Sequence, residues 1–185
     1  MERLDRLREV ALSEDEATFL LGRAGPVLVS RHVLVGELRR DAARREDGKL
    51  STMVHAPQRP SNLVLKPVTR ERWLAIRPQD ANVGNRWLTV GREETSDVVI
   101  NDYTVSIQHA RLSVIPQLGR VILQDVGSTN GTAHNGVLVE PGQQIMLVAG
   151  DSVCFGRMEL AYFTARAFYR YLVGTWEWAA PAEAI

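Results

Sequence analysis

Four polar residues from three short segments could do chemistry together. Arg92 follows Gly91, Ser106 stands in Val105-Ser106-Ile107-Gln108-His109-Ala110, and Thr129 and Asn130 stand in Asp125-Val126-Gly127-Ser128-Thr129-Asn130-Gly131-Thr132. The set is one guanidinium, two hydroxyls, a carboxamide and tight turns that glycine permits. Such donors suit a phosphate dianion: Arg92 offers a bidentate, charge-assisted contact, while Ser106, Thr129 and nearby backbone N–H groups reach the remaining oxygens. Asn130 both donates and accepts, which suits an extended peptide main chain lying across the loops. No nucleophile–base pair and no cluster of metal ligands is visible, so binding rather than catalysis is expected, without metal or cofactor.

Taken singly, each residue has a plainer reading. Arg92 is a strand-end arginine, Ser106 a turn serine, Asn130-Gly131 a tight turn, and His109 a structural histidine. Asn135-Gly136 reads as a type I′ hairpin turn, and that structural reading is kept. Joint occurrence is what favours a site for Arg92, Ser106, Thr129 and Asn130.

The elements that must hold these segments are short β-like runs divided by Gly, Asn and Asp. They are Leu63–Leu65, Arg72–Arg77, Trp87–Gly91, Val98–Ile100, Ala110–Ile115, Arg120–Gln124, Gln144–Val148, Ser152–Phe155 and Glu159–Phe163. Close spacing of this kind predicts an antiparallel sandwich or barrel, a mainly β fold whose end loops gather residues distant in sequence. Residues 1–50 read as a helical extension, with Ser13 and Glu16 as a capping box and Gly22, Gly25 and Pro26 as a stop and restart. Val27, Val29, Val33 and Val35 would alternate in a strand, whereas Leu28, His32, Val35, Leu38 and Ala42 would line a helix. The charged continuation Glu37–Glu46 favours the helix. Residues 51–62 read as a linker, 63–164 as the β domain, and 165–185 as a helix and tail. Ala165, Phe168, Tyr169 and Leu172 share the face by which that helix docks on the domain.

Gly91-Arg92, Ser106-x-x-His109-Ala110, Ser128-Thr129-Asn130-Gly131-Thr132, Asn135-Gly136 and Gly150-Asp151, in that order, resemble a forkhead-associated (FHA) domain over Leu63 to Phe163. The resemblance implies a β-sandwich of two antiparallel sheets that binds phosphothreonine peptides at one edge and is not an enzyme. It implies that Arg92 and Ser106 bind phosphate, that Thr129 helps, and that Asn130 holds the peptide main chain. His109 would brace the loops, Gly91, Gly131 and Asn135 would support the site, and Ile107 would offer its backbone N–H. Threonine is preferred to serine because its methyl group fits beside the phosphate. Thr104, two residues before the loop serine, would read the third position after the phosphothreonine, and being uncharged it predicts no strong acidic preference. The family commonly has a polar residue where this chain has Ile107. That departure predicts weakened phosphate binding and motivates an alternative: a phospho-independent scaffold or dimerisation module in a bacterial secretion or signalling assembly. Thr18, among Ser13-Glu-Asp-Glu-Ala, is acid-flanked and could be phosphorylated and fold back onto the site.

Composition bounds the rest. The chain has 185 residues, with Lys+Arg 22 against Asp+Glu 22, so a surface that grips nucleic acid as a whole is not expected. The run Arg39–Arg45 is broken by Asp41 and reads as a solvated face. No apolar stretch approaches the ~20 residues of a membrane span. The single Cys154 excludes an internal disulfide framework and reads as strand packing. His32, His55 and His134 do not stand at zinc-ligand spacing with it. A cytoplasmic adaptor acting below a Ser/Thr protein kinase is the expectation.

Overall fold

The computed structural model describes residues 2–23, 25–35, 38–39, 54–55, 64–68, 72–77, 87–115 and 120–178. Two helices open the chain after a short strand: β1 (Glu2–Arg3), α1 (Leu4–Ser13) and α2 (Glu16–Arg23). Then follow β2 (Val27–Val35), β3 (Leu38–Arg39), β4 (Val54–His55), β5 (Val64–Pro67), β6 (Arg72–Ala75), β7 (Leu88–Gly91) and β8 (Val98–Val99). The second half runs β9 (Ala110–Ile115), β10 (Arg120–Asp125), β11 (Thr132–His134), β12 (Val137–Val139), β13 (Gln144–Leu147), β14 (Ser152–Phe155), β15 (Met158–Phe163) and α3 (Ala165–Leu172).

Two sheets carry the fold. One has eight strands in the order β1-β6-β2-β15-β14-β11-β12 with β5 also on β2; the other runs β13-β10-β9-β7-β8. Pairing is antiparallel except between β7 and β8, where Val90 meets Val98 in a parallel register. Leu28, Leu160 and Tyr162 from the first sheet meet Val90, Leu112, Val121 and Leu123 from the second in a buried core. The mainly β sandwich expected from the turn spacing is therefore present.

Residues 27–35 correct the sequence reading: they form a strand, not a helix. Both periods fitted the local pattern because the first half of β2, Val27–Ser30, is buried on both faces. Leu28 enters the inter-sheet core, while Val27 and Val29 join Ala161 and Phe163 under the helices. A strand covered on both sides loses polar alternation, so periodicity cannot identify it. β2 lies between β15 and β6, so the large sheet begins well before residue 63. The proposed linker also contains β4, which pairs with β3. The rest of the Glu37–Glu46 helix, the arginine run beyond Arg39 and the remainder of the linker lie outside the described residues.

The helices cover the outer face of the large sheet. Leu4, Ala11, Phe19, Phe168 and Leu172 pack with Val27, Val29, Ala161 and Phe163 into a second core. Full burial of each large side chain contributes ~1.5–3 kcal/mol, enough to make the helical arm part of the domain. Thr164 caps α3, its Oγ1 accepting the Ala167 N–H at 3.3 Å. Gly174, at φ 77°, closes it as the Thr175 N–H bonds the Arg170 carbonyl at 2.8 Å. α3 thus docks on the domain as its apolar face predicts. The cap of α2 differs from expectation: Asp15, not Ser13, accepts the Thr18 N–H at 2.8 Å, and Ser13 Oγ bonds back to Val10. Thr18 therefore sits in the first turn of a packed helix, which would have to unwind before that segment could lie extended across another surface.

Candidate functional site

β7 ends at Gly91, and the loop that follows carries Arg92 back against the Val105–His109 segment. The Arg92 N–H donates to the Ser106 carbonyl at 3.1 Å, and its Nη1 donates to the Val105 carbonyl at 3.3 Å. Ser106 Oγ donates to Thr129 Oγ1 at 3.2 Å and accepts the Thr129 N–H at 3.0 Å. Asn130 Nδ2 donates to the Thr104 carbonyl at 2.7 Å. The structure thus brings together Arg92, Ser106, Thr129 and Asn130 from three separate loops. Ile107 is partly exposed in the same turn, and its carbonyl lies against Gly91.

His109 is fully buried and ties two of these loops together. Its Nδ1 accepts the Ser106 N–H at 3.0 Å, and its Nε2 faces the Gly131 carbonyl at 3.1 Å. These partners require a neutral ring with the proton on Nε2. Burial pushes its pKa below the ordinary 6.5, against the opposing pull of the Asp125 charge and the Gly131 bond. Phe155 packs edge-on to the ring at 5.6 Å.

The sign of the pH dependence follows. With a depressed folded pKa, the unfolded chain takes its proton first as pH falls. The contribution of His109 is complete above pH 6.5 and is lost as pH drops below it. A proton on Nδ1 also faces the Ser106 N–H, so the Ser106 loop should loosen over the same range. We expect the His109 ring signals, followed by NMR, to titrate below 6.5, with thermal stability falling across that titration. Titration at or above the ordinary value would contradict this arrangement.

Sequence reasoning missed Asp125. Its Oδ1 accepts the Gly127 and Ser128 N–H groups at 2.7 and 2.9 Å, and its Oδ2 accepts the Ser128 and Thr132 hydroxyls at 2.6 Å each. Burial raises its pKa, but those hydroxyl and backbone donors outweigh it and hold the carboxyl below the usual range. The signal was present as an Asp followed two residues later by Gly, an Asx-turn pattern. Two other roles change. Thr104 is fully buried, with its Oγ1 on Asp102 at 2.7 Å, so its side chain cannot face a ligand. Asn135 stands at the far end of β11 from Gly131, and its carboxamide bonds Asp151 Oδ1 and the Ser152 N–H at 2.8 Å each. It secures the hairpin; φ values of 48° and 80° at Asn135 and Gly136 fit the type I′ turn.

The remaining candidates are structural. Cys154 is half-buried, its thiol pushed up to about 12 by burial and then by Glu159, and it donates to the Gly156 carbonyl at 3.2 Å. His32 bonds Glu159 Oε2, and His134 bonds Asp151 Oδ2, each at 2.8 Å. Among the described residues no three His, Cys, Asp or Glu side chains gather as metal ligands, and no helix is long and apolar enough to cross a membrane.

Comparison with known proteins bears on the same loops. The FHA domain family model matches residues 88–156. The glycogen accumulation regulator GarA of Mycolicibacterium smegmatis is 32% identical over 138 residues, covering 74% of this chain and 79% of that protein. The oxoglutarate dehydrogenase inhibitor of Corynebacterium efficiens is 33% identical over 100 residues, covering 51% of this chain and 67% of its own. The N-terminal FHA domain of S. cerevisiae Rad53p, solved with a phosphothreonine peptide, superposes with a TM-score of 0.40 at 28% identity, covering 46% of this chain and 73% of that one. The family match spans the strands and turns that bring Arg92, Ser106 and Thr129 together, and the mycobacterial relative extends the likeness over most of both chains: this protein belongs to the FHA domain family.

Proposed function

We propose that the protein is a phosphothreonine-dependent adaptor in Ser/Thr kinase signalling, working in the cytoplasm by capturing a phosphorylated protein rather than by catalysis. Arg92 supplies the charge-assisted contact to the phosphate, Ser106 and Thr129 donate to its other oxygens, and Asn130 holds the peptide main chain. The observation that supports this best is the meeting of Ser106 Oγ with both the hydroxyl and the N–H of Thr129, beside the loop that carries Arg92. These donors are already ordered by His109 and Asp125, so little reorganisation opposes binding, and the added negative charge of a phosphorylated threonine makes the switch. Lacking a polar side chain at Ile107, the site should bind short peptides with moderate affinity.

A phosphothreonine peptide array on the whole protein tests the reading. Selective capture of phosphothreonine peptides, with phosphoserine counterparts weaker and unphosphorylated ones unbound, is expected. Equal capture of phosphorylated and unphosphorylated peptides, or partners retained after phosphatase treatment, would favour the phospho-independent scaffold instead.

A further inference from the structure

The turn between β14 and β15 lies against the candidate phosphate loops and is hydrogen-bonded to them. Arg157 Nε lies 3.1 and 2.9 Å from the two Asp102 carboxylate oxygens, and its Nη2 lies 2.7 Å from Oδ2. The Arg157 N–H donates to Thr104 Oγ1 at 3.0 Å. Thr104 in turn donates its N–H and hydroxyl to Asp102 Oδ1 at 2.9 and 2.7 Å. Its carbonyl receives the Asn130 carboxamide, and Ser106 follows two residues later. Gly156, the other residue of the turn, donates its N–H to the Gly131 carbonyl at 3.3 Å. A Cβ there would stand 2.5 Å from the Thr104 carbonyl, so the turn sits hard against the Ser106 loop.

We propose that Arg157, through Asp102 and Thr104, is a positioning residue for Asn130: it fixes the carbonyl that orients the carboxamide meant for the peptide main chain. This rests on the phosphothreonine reading above. The Gly156–Arg157 turn grips the Ser106 loop at Thr104 and the Asn130 loop at Gly131, setting their separation without touching ligand. Burial opposes the Asp102 charge, but Arg157 and the Thr104 donors outweigh it, so the carboxylate remains ionised and the bracket closed. A planar guanidinium suits this side-on grip; an ammonium keeps the charge but not the fork.

The test uses the whole chain and a phosphothreonine peptide chosen from the array. Arg157→Ala is expected to raise Kd about tenfold in the wild-type background and less than twofold in an Asn130→Ala background, because directly linked residues couple. Arg157→Lys should fall between wild type and alanine, and it supplies the measurement if the alanine variant fails to fold. Without ligand, the Asn130 side-chain amide resonances should move in either variant. Unchanged affinity overturns the proposal, as does an equal loss in both backgrounds, which would mark general loosening. If wild type binds no phosphothreonine peptide, the functional reading fails by itself. The positioning role is then judged on the Asn130 resonances, and their staying fixed overturns it.

Discussion

Arg92→Ala should reduce affinity for a phosphothreonine peptide at least a hundredfold while leaving the fold nearly as stable as before. The guanidinium is the one positive group in the candidate set, and a charge-assisted hydrogen bond contributes roughly 1.5–3 kcal/mol. Two such bonds to a dianion exceed about 3 kcal/mol, and each 1.4 kcal/mol is about tenfold in Kd. The cost to folding is smaller. Arg92 is partly exposed, and one of its contacts, the side-chain bond to the Val105 carbonyl, is long at 3.3 Å. Its backbone bond to Ser106 survives the substitution. Arg92→Lys keeps the charge but not the bidentate fork and should cost nearer tenfold. Calorimetric titration together with thermal melts separates these quantities. Wild-type affinity in Arg92→Ala would remove the charge-capture mechanism outright; a lost fold would instead move Arg92 from binding to structure.

Some of this molecule could be read before its coordinates, and the divisions have physical causes. β9 and α3 lie where the pattern put them, because each has one clear covered face and firm boundaries. The type I′ turn was legible because Asn-Gly is close to a local code for positive φ. β11 was hidden because Thr132-Ala133-His134 has little β-like apolar character, and β12 because Val137-Leu138-Val139 is apolar without alternation. β2 was misread because its first half has apolar neighbours on both faces. At the site, residue types announced the loops, but their wiring did not follow from them. Thr104 looked like a surface reader and proved to be a buried strut. Asp102 and Arg157, 55 residues apart, become partners only once the β14–β15 turn folds against the Ser106 loop. Asp125 is a loop-start residue in the sequence, and its four partners in Gly127, Ser128 and Thr132 meet it only once the loop has folded. Two backbone N–H groups and two hydroxyls take up its oxygens, so the carboxylate shapes the loop.

Gly91→Ala should be the most damaging single methyl group that could be added to the site loops. A Cβ at Gly91 would stand 1.9 Å from the Ile107 carbonyl oxygen and 2.8 Å from Ser96 Oγ. The serine hydroxyl can rotate away; the carbonyl cannot. Ile107 is held between the Arg92 bond to the Ser106 carbonyl and the bond of the His109 N–H to the Val90 carbonyl. Gly91 is fixed from its own side, since its carbonyl accepts the Ile100 N–H at 2.8 Å. Relief must separate β7 from the Ser106 loop, breaking the alignment on which phosphate capture depends. Overpacking of this kind costs ~1–3 kcal/mol and occasionally more, and a backbone obstacle points to the upper end. For a chain of this size about 3 kcal/mol lowers the melting temperature by roughly 6–12 °C. Gly127→Ala is the control: nothing lies within 4 Å of its Cβ position, and its cost is conformational, from a φ of +90°. That variant should lose roughly 1–2 kcal/mol and keep the Arg92–Ser106 alignment. Thermal melts and peptide titration on both variants decide the matter. If Gly91→Ala melts no lower than Gly127→Ala and still binds, the close approach of β7 to the Ser106 loop is not what holds the site in register.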